Sequence, residues 1–235
     1  EYARSLSPHL KLSINIDMLV HQQHFKTIEA LLTHSNDTTI DSIRIQDIGL
    51  ISLINEISPS KSIHLNTETN NNNIESVSHF QSLVSRQVLT NELPYGDIKK
   101  IVTTVPSEFE LQVHGPILIQ YAKRRFQSEL DPEKMETGFK SGAKVAIDTD
   151  APHRKYQFLD TQHGHAMYAH FDRCLLRHLD QLNSIALSSW LIDCRGYPLE
   201  VLKAVIDAYV KERDRLLSGN DVWTPPETLI DHLSS

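Results

Sequence analysis

The chain has 235 residues, 40% of them hydrophobic and 23% charged, which is typical of a globular protein with one large or two small domains. Its formal net charge of −7 argues against a protein that coats nucleic acid without specificity, because such binding depends on neutralising phosphates. With two cysteines, no apolar run near the roughly 18 residues that span a bilayer and no secretory signal pattern, we expect a cytoplasmic protein without membrane contact.

Strand and helix patterns alternate through the first hundred residues. Apolar residues at every second position predict a strand at 10–16, and short apolar segments predict further strands at 40–45, 63–65 and 87–90. Apolar residues at helical spacing predict helices at 21–32, 50–57, 74–84 and 97–102. The asparagine run 70–73 predicts a side-chain cap for the third of these helices.

Residues 108–126 are the stretch around which we organise the chain. Phe109, Leu111 and Val113 alternate with polar residues, which predicts a strand. We expect this strand to stop at His114, because glycine and proline follow directly. An apolar segment then leads to three consecutive cations, which we expect to lie beside His114 at one edge of the fold: Lys123, Arg124 and Arg125.

The second half is less regular. Residues 129–142 are polar, and segments 144–149 and 155–159 are predicted to pair as a hairpin. Residues 171–182 are predicted to form an amphipathic helix, 185–192 a buried strand and 198–217 a long last helix.

The order of six strands alternating with helices predicts a parallel sheet, either a barrel or an open doubly wound sheet. Polar side chains recur at or just past each strand's C-terminal end, where barrel enzymes assemble their sites: Asn15, Asp47, Glu68, Glu92, His114, Asp193 and Arg195. We interpret this ring as a site, the alternative being that these side chains only cap the helices that follow. The usual motifs of dinucleotide, nucleotide and protease sites are absent from the sequence.

Four short motifs, in this order along the chain, resemble the collagenase-like peptidase family called U32. The motifs are Gln46-Asp47-x-Gly49, Asn91-Glu92-Leu93, Glu110 with Val113-His114-Gly115, and Ile192-Asp193-x-Arg195 followed by Tyr209. The residues matching the family signature are Glu110, His114, Gly115, Tyr121 and Arg124. Leu118 and Arg125 stand where the signature has cysteines.

The resemblance implies a (β/α)8 TIM-like barrel whose first two strands would precede Glu1. We expect a single barrel domain over 1–235, with a hairpin-like insertion at about 129–165. Some members of the family hold an iron-sulfur cluster through cysteines, and such a cluster requires about four thiolates. Two cysteines cannot supply them, so we expect no iron-sulfur cluster and identify no metal or other cofactor.

The cysteine-poor sequence resembles most the Gram-positive relatives involved in making 5-hydroxyuridine in transfer RNA. Our first interpretation is such a factor, with transfer RNA and a second U32-family subunit as partners; the alternatives are a peptidase and a non-catalytic barrel scaffold. The expected catalytic residues are Asp47, Glu92, His114, Asp193 and Arg195, with His114 and Glu92 handling protons. The expected substrate-binding residues are Asn15, Glu68, Lys123, Arg124 and Arg125.

Overall fold

The computed structural model describes residues 9–16, 19–68, 71–123, 136–137, 144–147, 155–161 and 164–219, together with Ser5, Ser7 and Pro225. They form a mixed α/β fold that divides into two compact units. The first unit comprises Glu1–Leu111 and Ala186–Ser189, and the second comprises Gln112–Ile185 and Trp190–Ser235.

The first unit is a parallel sheet whose strands pair in chain order. Its strands are β1 (Ser13–Ile16), β2 (Ser42–Ile45), β3 (Ser62–Leu65), β4 (Arg86–Leu89) and the first four residues of β5 (Glu108–Ala122). Its helices are α1 (Phe25–Asn36), α2 (Leu50–Ile57), α3 (Ile74–Phe80) and α4 (Tyr95–Thr104), with a 3-10 turn at Gln22–His24 before α1. All four predicted strand–helix units of this region are confirmed.

One face of these strands packs against the helices. Ile43, Ile45 and Ile63 form a buried core with Leu32 of α1 and Ile54 of α2. Right-handed crossovers between sequential parallel strands place successive helices on the same side of a sheet, whereas a doubly wound sheet reverses its strand order. The described parallel strands do not reverse, so the fold is barrel-like; a closed (β/α)8 barrel stays a prediction.

The predicted cap of the third helix is confirmed. Asn73 precedes α3 in an extended conformation, and its side-chain oxygen accepts a hydrogen bond from the Ser76 amide at 2.9 Å. This bond satisfies one of the backbone donors that the first turn of a helix leaves without a partner.

The prediction that the fifth strand stops at His114 is wrong. β5 continues to Ala122, with β4 as its parallel partner up to Leu111 and β9 (Gly164–Cys174) as its antiparallel partner from His114 onward. Gly115 adopts φ of +120°, which glycine tolerates because it has no Cβ. Glycine and proline therefore lie where the strand changes its partner.

The second unit is built on antiparallel pairing. The strands β6 (Glu136–Thr137), β7 (Lys144–Ile147) and β8 (Lys155–Thr161) continue the sheet from β9 in the order β9-β8-β7-β6. A further strand, β10 (Ser189–Ile192), pairs with β5, and its first residue, Ser189, belongs to the first unit. The pairing of β7 with β8 confirms the predicted hairpin. Whether the chain is one domain with an insertion there stays a prediction.

The predicted helix at 171–182 is wrong over its first residues. β9 continues to Cys174 and is followed by a 3-10 turn at Leu176–His178 and the short helix α5 (Leu179–Asn183). Pairing of Asp172, Arg173 and Cys174 with β5 stabilises the extended conformation there, so tertiary contacts override the helical pattern. The last predicted helix is confirmed as α6 (Leu199–Ser218), which ends at a left-handed Gly219.

Within the described residues, no helix combines the length and the apolar character that crossing a membrane requires.

Candidate functional site

A row of polar side chains crosses the sheet of the first unit. The members of this polar row are register partners on neighbouring strands: Asn15, Arg44, His64, Arg86 and Glu108. Directly paired residues point to the same face of a sheet, and alternate residues point to opposite faces. Since Ile43 and Ile45 pack against the helices, the polar row lies on the other face.

Glu110 lies on that face, two residues beyond Glu108, and is only 3% exposed. Its carboxylate accepts a hydrogen bond from Arg44 Nη2 at 2.5 Å and one from Ser189 Oγ at 2.6 Å. Arg86 Nη1 is 3.5 Å from the same carboxylate. Three side chains from β2, β4 and β10 thus converge on one buried negative charge.

Arg86 is held in place by several bonds. Its Nε and Nη2 donate to Glu108 Oε2 at 3.1 and 2.8 Å, and its Nη1 donates to Ser189 Oγ at 3.2 Å. Arg44 differs, because its Nη1 is buried and has no hydrogen-bond partner among the described residues. The row therefore contains one guanidinium with unused donor capacity.

The surrounding charges set the protonation states of Glu110 and His64. Burial raises the pKa of Glu110, but the Arg44 charge, the bonds from Ser189 and Arg44 and the Arg86 charge together hold this pKa below its usual value. Burial, followed by the charges of Arg86 and Arg44, lowers the pKa of His64 to about 4, although Glu110 and Glu108 act in the opposite direction. At neutral pH this face of the sheet therefore combines an ionised Glu110 with a neutral His64 imidazole, which can both donate and accept hydrogen bonds.

In the second unit, His114 lies fully buried against two aromatic rings. The ring centroids of Tyr209 and Tyr197 are 5.5 and 5.9 Å from that of His114, both in edge-on geometry. The His114 carbonyl accepts a hydrogen bond from the Asp193 amide at 2.9 Å. A Cβ on Gly115 would lie 2.2 Å from the Asp193 carbonyl oxygen, so this close approach requires glycine.

The structure also brings Arg195 to this group. Its Nε donates to Asp193 Oδ2 at 2.8 Å, and its guanidinium lies 5.8 Å from the ring centre of Tyr168. The Tyr197 hydroxyl donates to Asp172, and burial, assisted by this bond, raises the pKa of Tyr197 far above its usual value. Three of the predicted catalytic residues, His114, Asp193 and Arg195, therefore belong to one cluster of the second unit.

Cys174 is not among the predicted site residues, yet it is the register partner of His114 on β9. Its sulfur lies 4.0 Å from the Tyr209 hydroxyl, which donates to the Val113 carbonyl at 2.8 Å. The sequence carries no signal for this pairing, because the two residues are distant in the chain and the local pattern predicts a helix over 171–182. A thiol and an imidazole thus occupy facing positions.

The other predicted residues lie in the first unit. Asp47 follows β2, and its carboxylate accepts hydrogen bonds from the amides of Val20 at 2.9 Å and Gly49 at 2.8 Å, so it stabilises the loop. Glu92 is exposed after β4, and Glu68 adopts φ of +64° after β3. Their catalytic and binding roles, like that of Asn15, stay predictions.

The expected placement of the basic run beside His114 is wrong for Lys123. Lys123 follows the last residue of β5, nine positions after His114, and an extended strand rises about 3.3 Å per residue, which places the two roughly 25–30 Å apart. Lys123 is exposed, and a role in binding substrate stays a prediction. Arg124 and Arg125 lie outside the described residues.

The residues do not fit an iron-sulfur cluster. Leu118 lies in β5 and has no thiolate, and the 235 residues contain two cysteines, whereas such a cluster takes about four. In the part of the chain that the structure describes, no three His, Cys, Asp or Glu side chains are grouped as metal ligands.

The fold and the buried charged groups define a barrel-like α/β protein with a polar sheet face. The chain matches Peptidase family U32 over residues 1–234 and belongs to that family. It is 23% identical to tRNA hydroxylation protein P2 of Bacillus subtilis over 231 residues, which cover 91% of this chain and 73% of the relative. No solved structure matches the chain.

Two further relatives match less of their own length. An uncharacterized protease of Methanocaldococcus jannaschii is 21% identical over 89% of this chain and 53% of its own. The tRNA hydroxylation protein P of Escherichia coli is 30% identical over 48% of this chain and 26% of its own. This chain therefore spans only part of these relatives.

Proposed function

We propose that this chain takes part in forming 5-hydroxyuridine in transfer RNA. The similarity that carries the proposal is the match to tRNA hydroxylation protein P2, which extends over 91% of the chain. In this proposal transfer RNA is the substrate and a second U32-family subunit is the partner.

The polar row supports chemistry on a base. Enzymes that modify a base read its hydrogen-bonding edge in a pocket that excludes water. Glu110 and Arg44 are shielded, with 4% and 14% of their side chains exposed, while Arg86 at 24% lies nearer solvent. This gradient gives a half-buried face on which a planar polar group can lie.

The predicted residues take the following roles in the proposal. His114 and Glu92 handle protons, Asp193 orients Arg195 through the hydrogen bond described above, and Asp47 holds its loop. Lys123, with Arg124 and Arg125, contacts phosphates, which position an RNA without reading its sequence. Asn15 and Glu68 contact the substrate.

Mass spectrometry of transfer RNA nucleosides tests the proposal. Cells lacking the protein and any redundant relative should lose 5-hydroxyuridine, and the intact gene should restore it. Glu110→Gln should restore much less, because Arg44 and Arg86 lose the buried negative charge that they share. Arg213→Gln serves as the matched control, since Arg213 is an exposed residue of α6. An unchanged 5-hydroxyuridine content in the deletion would contradict the proposal.

A peptidase is the second candidate, because Cys174 faces His114 across β5 and β9. A thiol with an adjacent imidazole is the pair from which thiol-dependent hydrolases build a nucleophile. Gelatin degradation by the purified protein that disappears in both Cys174→Ser and His114→Ala would favour this candidate. If no degradation occurs and the deletion leaves the nucleosides unchanged, the scaffold interpretation remains.

A further inference from the structure

Two neighbouring groups of the polar row have hydrogen-bonding capacity that the described residues do not use. Arg44 Nη1 is buried without a partner, and the His64 ring makes no hydrogen bond with any described residue. Arg44 and His64 are register partners on β2 and β3, so their Cα atoms are about 5 Å apart and their side chains share one face. A buried donor without an acceptor, as Arg44 Nη1 is, costs free energy, and a ligand that supplies the acceptor recovers it.

The charges of the row argue against an anion as that ligand. The Arg44 guanidinium is paired with Glu110 at 2.5 Å and that of Arg86 with Glu108 at 2.8 Å, so each cation already has its counter-ion. What the row lacks is an acceptor for Arg44 Nη1 and a polar partner for His64. Both requirements are met by a neutral group that presents a carbonyl next to an N–H.

We propose that Arg44 and His64 bind the edge of a uracil base, with Arg44 Nη1 donating to a ring carbonyl and the His64 imidazole accepting the N3–H. This inference rests on the proposed function and names the residues that would select uridine. Glu110 acts as a positioning residue, because its bond to Nη2 fixes the guanidinium and leaves Nη1 directed away from that bond. The low pKa of His64 keeps its acceptor nitrogen unprotonated at neutral pH.

The geometry of the edge distinguishes uracil from a single peptide group and from cytosine. The carbonyl and N–H of a trans peptide group point in opposite directions, so one peptide group cannot serve both side chains. Cytosine presents a carbonyl next to an unprotonated ring nitrogen, so His64 would have to offer its N–H to the base in place of its acceptor nitrogen. Uracil carries the required carbonyl and N–H side by side.

The test is a titration of the purified full chain with nucleosides at pH 7, followed by NMR of the histidine rings. The His64 signals are assigned by their disappearance in His64→Gln. Uridine should shift them in a saturable manner, whereas 3-methyluridine, which lacks the N3–H, and cytidine should bind at least about tenfold more weakly.

Variants separate recognition from loss of fold. Arg44→Lys keeps a positive charge beside Glu110 but removes the second nitrogen, so it should weaken uridine binding about tenfold. Arg213→Gln on α6 should bind as the parent chain does. Equal affinities for uridine and 3-methyluridine, or His64 signals that uridine does not move up to its solubility limit, would overturn the inference.

The two proposals fail in different ways. If deletion abolishes 5-hydroxyuridine but Arg44→Lys binds uridine unchanged, the proposed function stands and the base-edge assignment falls. If uridine binding follows the expected pattern but deletion leaves the cellular nucleosides unchanged, the site binds uracil for another purpose.

Discussion

Replacing Glu110 with Gln should destabilise the first unit strongly. The carboxylate is 4% exposed and accepts bonds from Arg44 at 2.5 Å and Ser189 at 2.6 Å. Breaking a buried ion pair by removing one partner costs about 3–5 kcal/mol, because the remaining charge is left without compensation. Gln retains one acceptor oxygen, and 14% of the Arg44 side chain reaches solvent, so we expect about 2–3 kcal/mol.

The pH dependence provides a second measure of the same effect. The folded pKa of Glu110 is lowered, because the Arg44 and Arg86 charges and the hydrogen bonds outweigh burial. A group with a lowered folded pKa contributes stability above its unfolded pKa and loses it as the pH falls through the folded value. The stability difference between the parent chain and Glu110→Gln should therefore be full at pH 7 and shrink below about pH 4.5.

Urea unfolding at pH 7 and at pH 4 to 3, followed by circular dichroism, measures both quantities. Glu108→Gln is the matched control, because Glu108 also bonds to an arginine of the row but is 56% exposed. An exposed pair contributes about 0–1 kcal/mol, so this variant should change little. A difference below about 0.5 kcal/mol for Glu110→Gln, or one that does not change with pH, would refute the reasoning.

Two further substitutions test the backbone. Gly115→Ala should destabilise the second unit by about 3 kcal/mol or more, because φ is +120° and the new Cβ would lie 2.2 Å from a carbonyl oxygen. Gly96 lies in α4, and a Cβ added there would have no atom within 4 Å, so Gly96→Ala should instead stabilise the protein by about 0.5–1 kcal/mol. Thermal unfolding of the two variants compares these effects. Asn73→Ala should lower the free energy of unfolding by about 1 kcal/mol, because it removes the cap of α3. Asn72→Ala leaves the bond to the Ser76 amide intact and should lower it less. Equal losses of stability in urea unfolding would contradict the capping role of Asn73.

The sequence alone determined the strand–helix units of the first hundred residues and the buried side of their sheet. In β2 a single polar residue separates Ile43 from Ile45, and in β3 a single polar residue separates Ile63 from Leu65. Alternate residues of a strand point to the same face, so this spacing turns the apolar side chains of each strand to one face. The asparagine cap was predictable for the same reason, since a helix start is specified by residues within four positions of one another.

Only the tertiary structure decided which polar residues meet. Arg44 and Glu110 are 66 positions apart, and Ser189 and Glu110 are 79 apart, so their contact depends on strand order and register. The same dependence explains why β5 continues past Gly115 and why β9 replaces a predicted helix, since β5 and β9 stabilise each other's extended conformation through hydrogen bonds. Local patterns describe the conformation that a segment prefers by itself, whereas a site is assembled by pairings between distant segments, which no local pattern records.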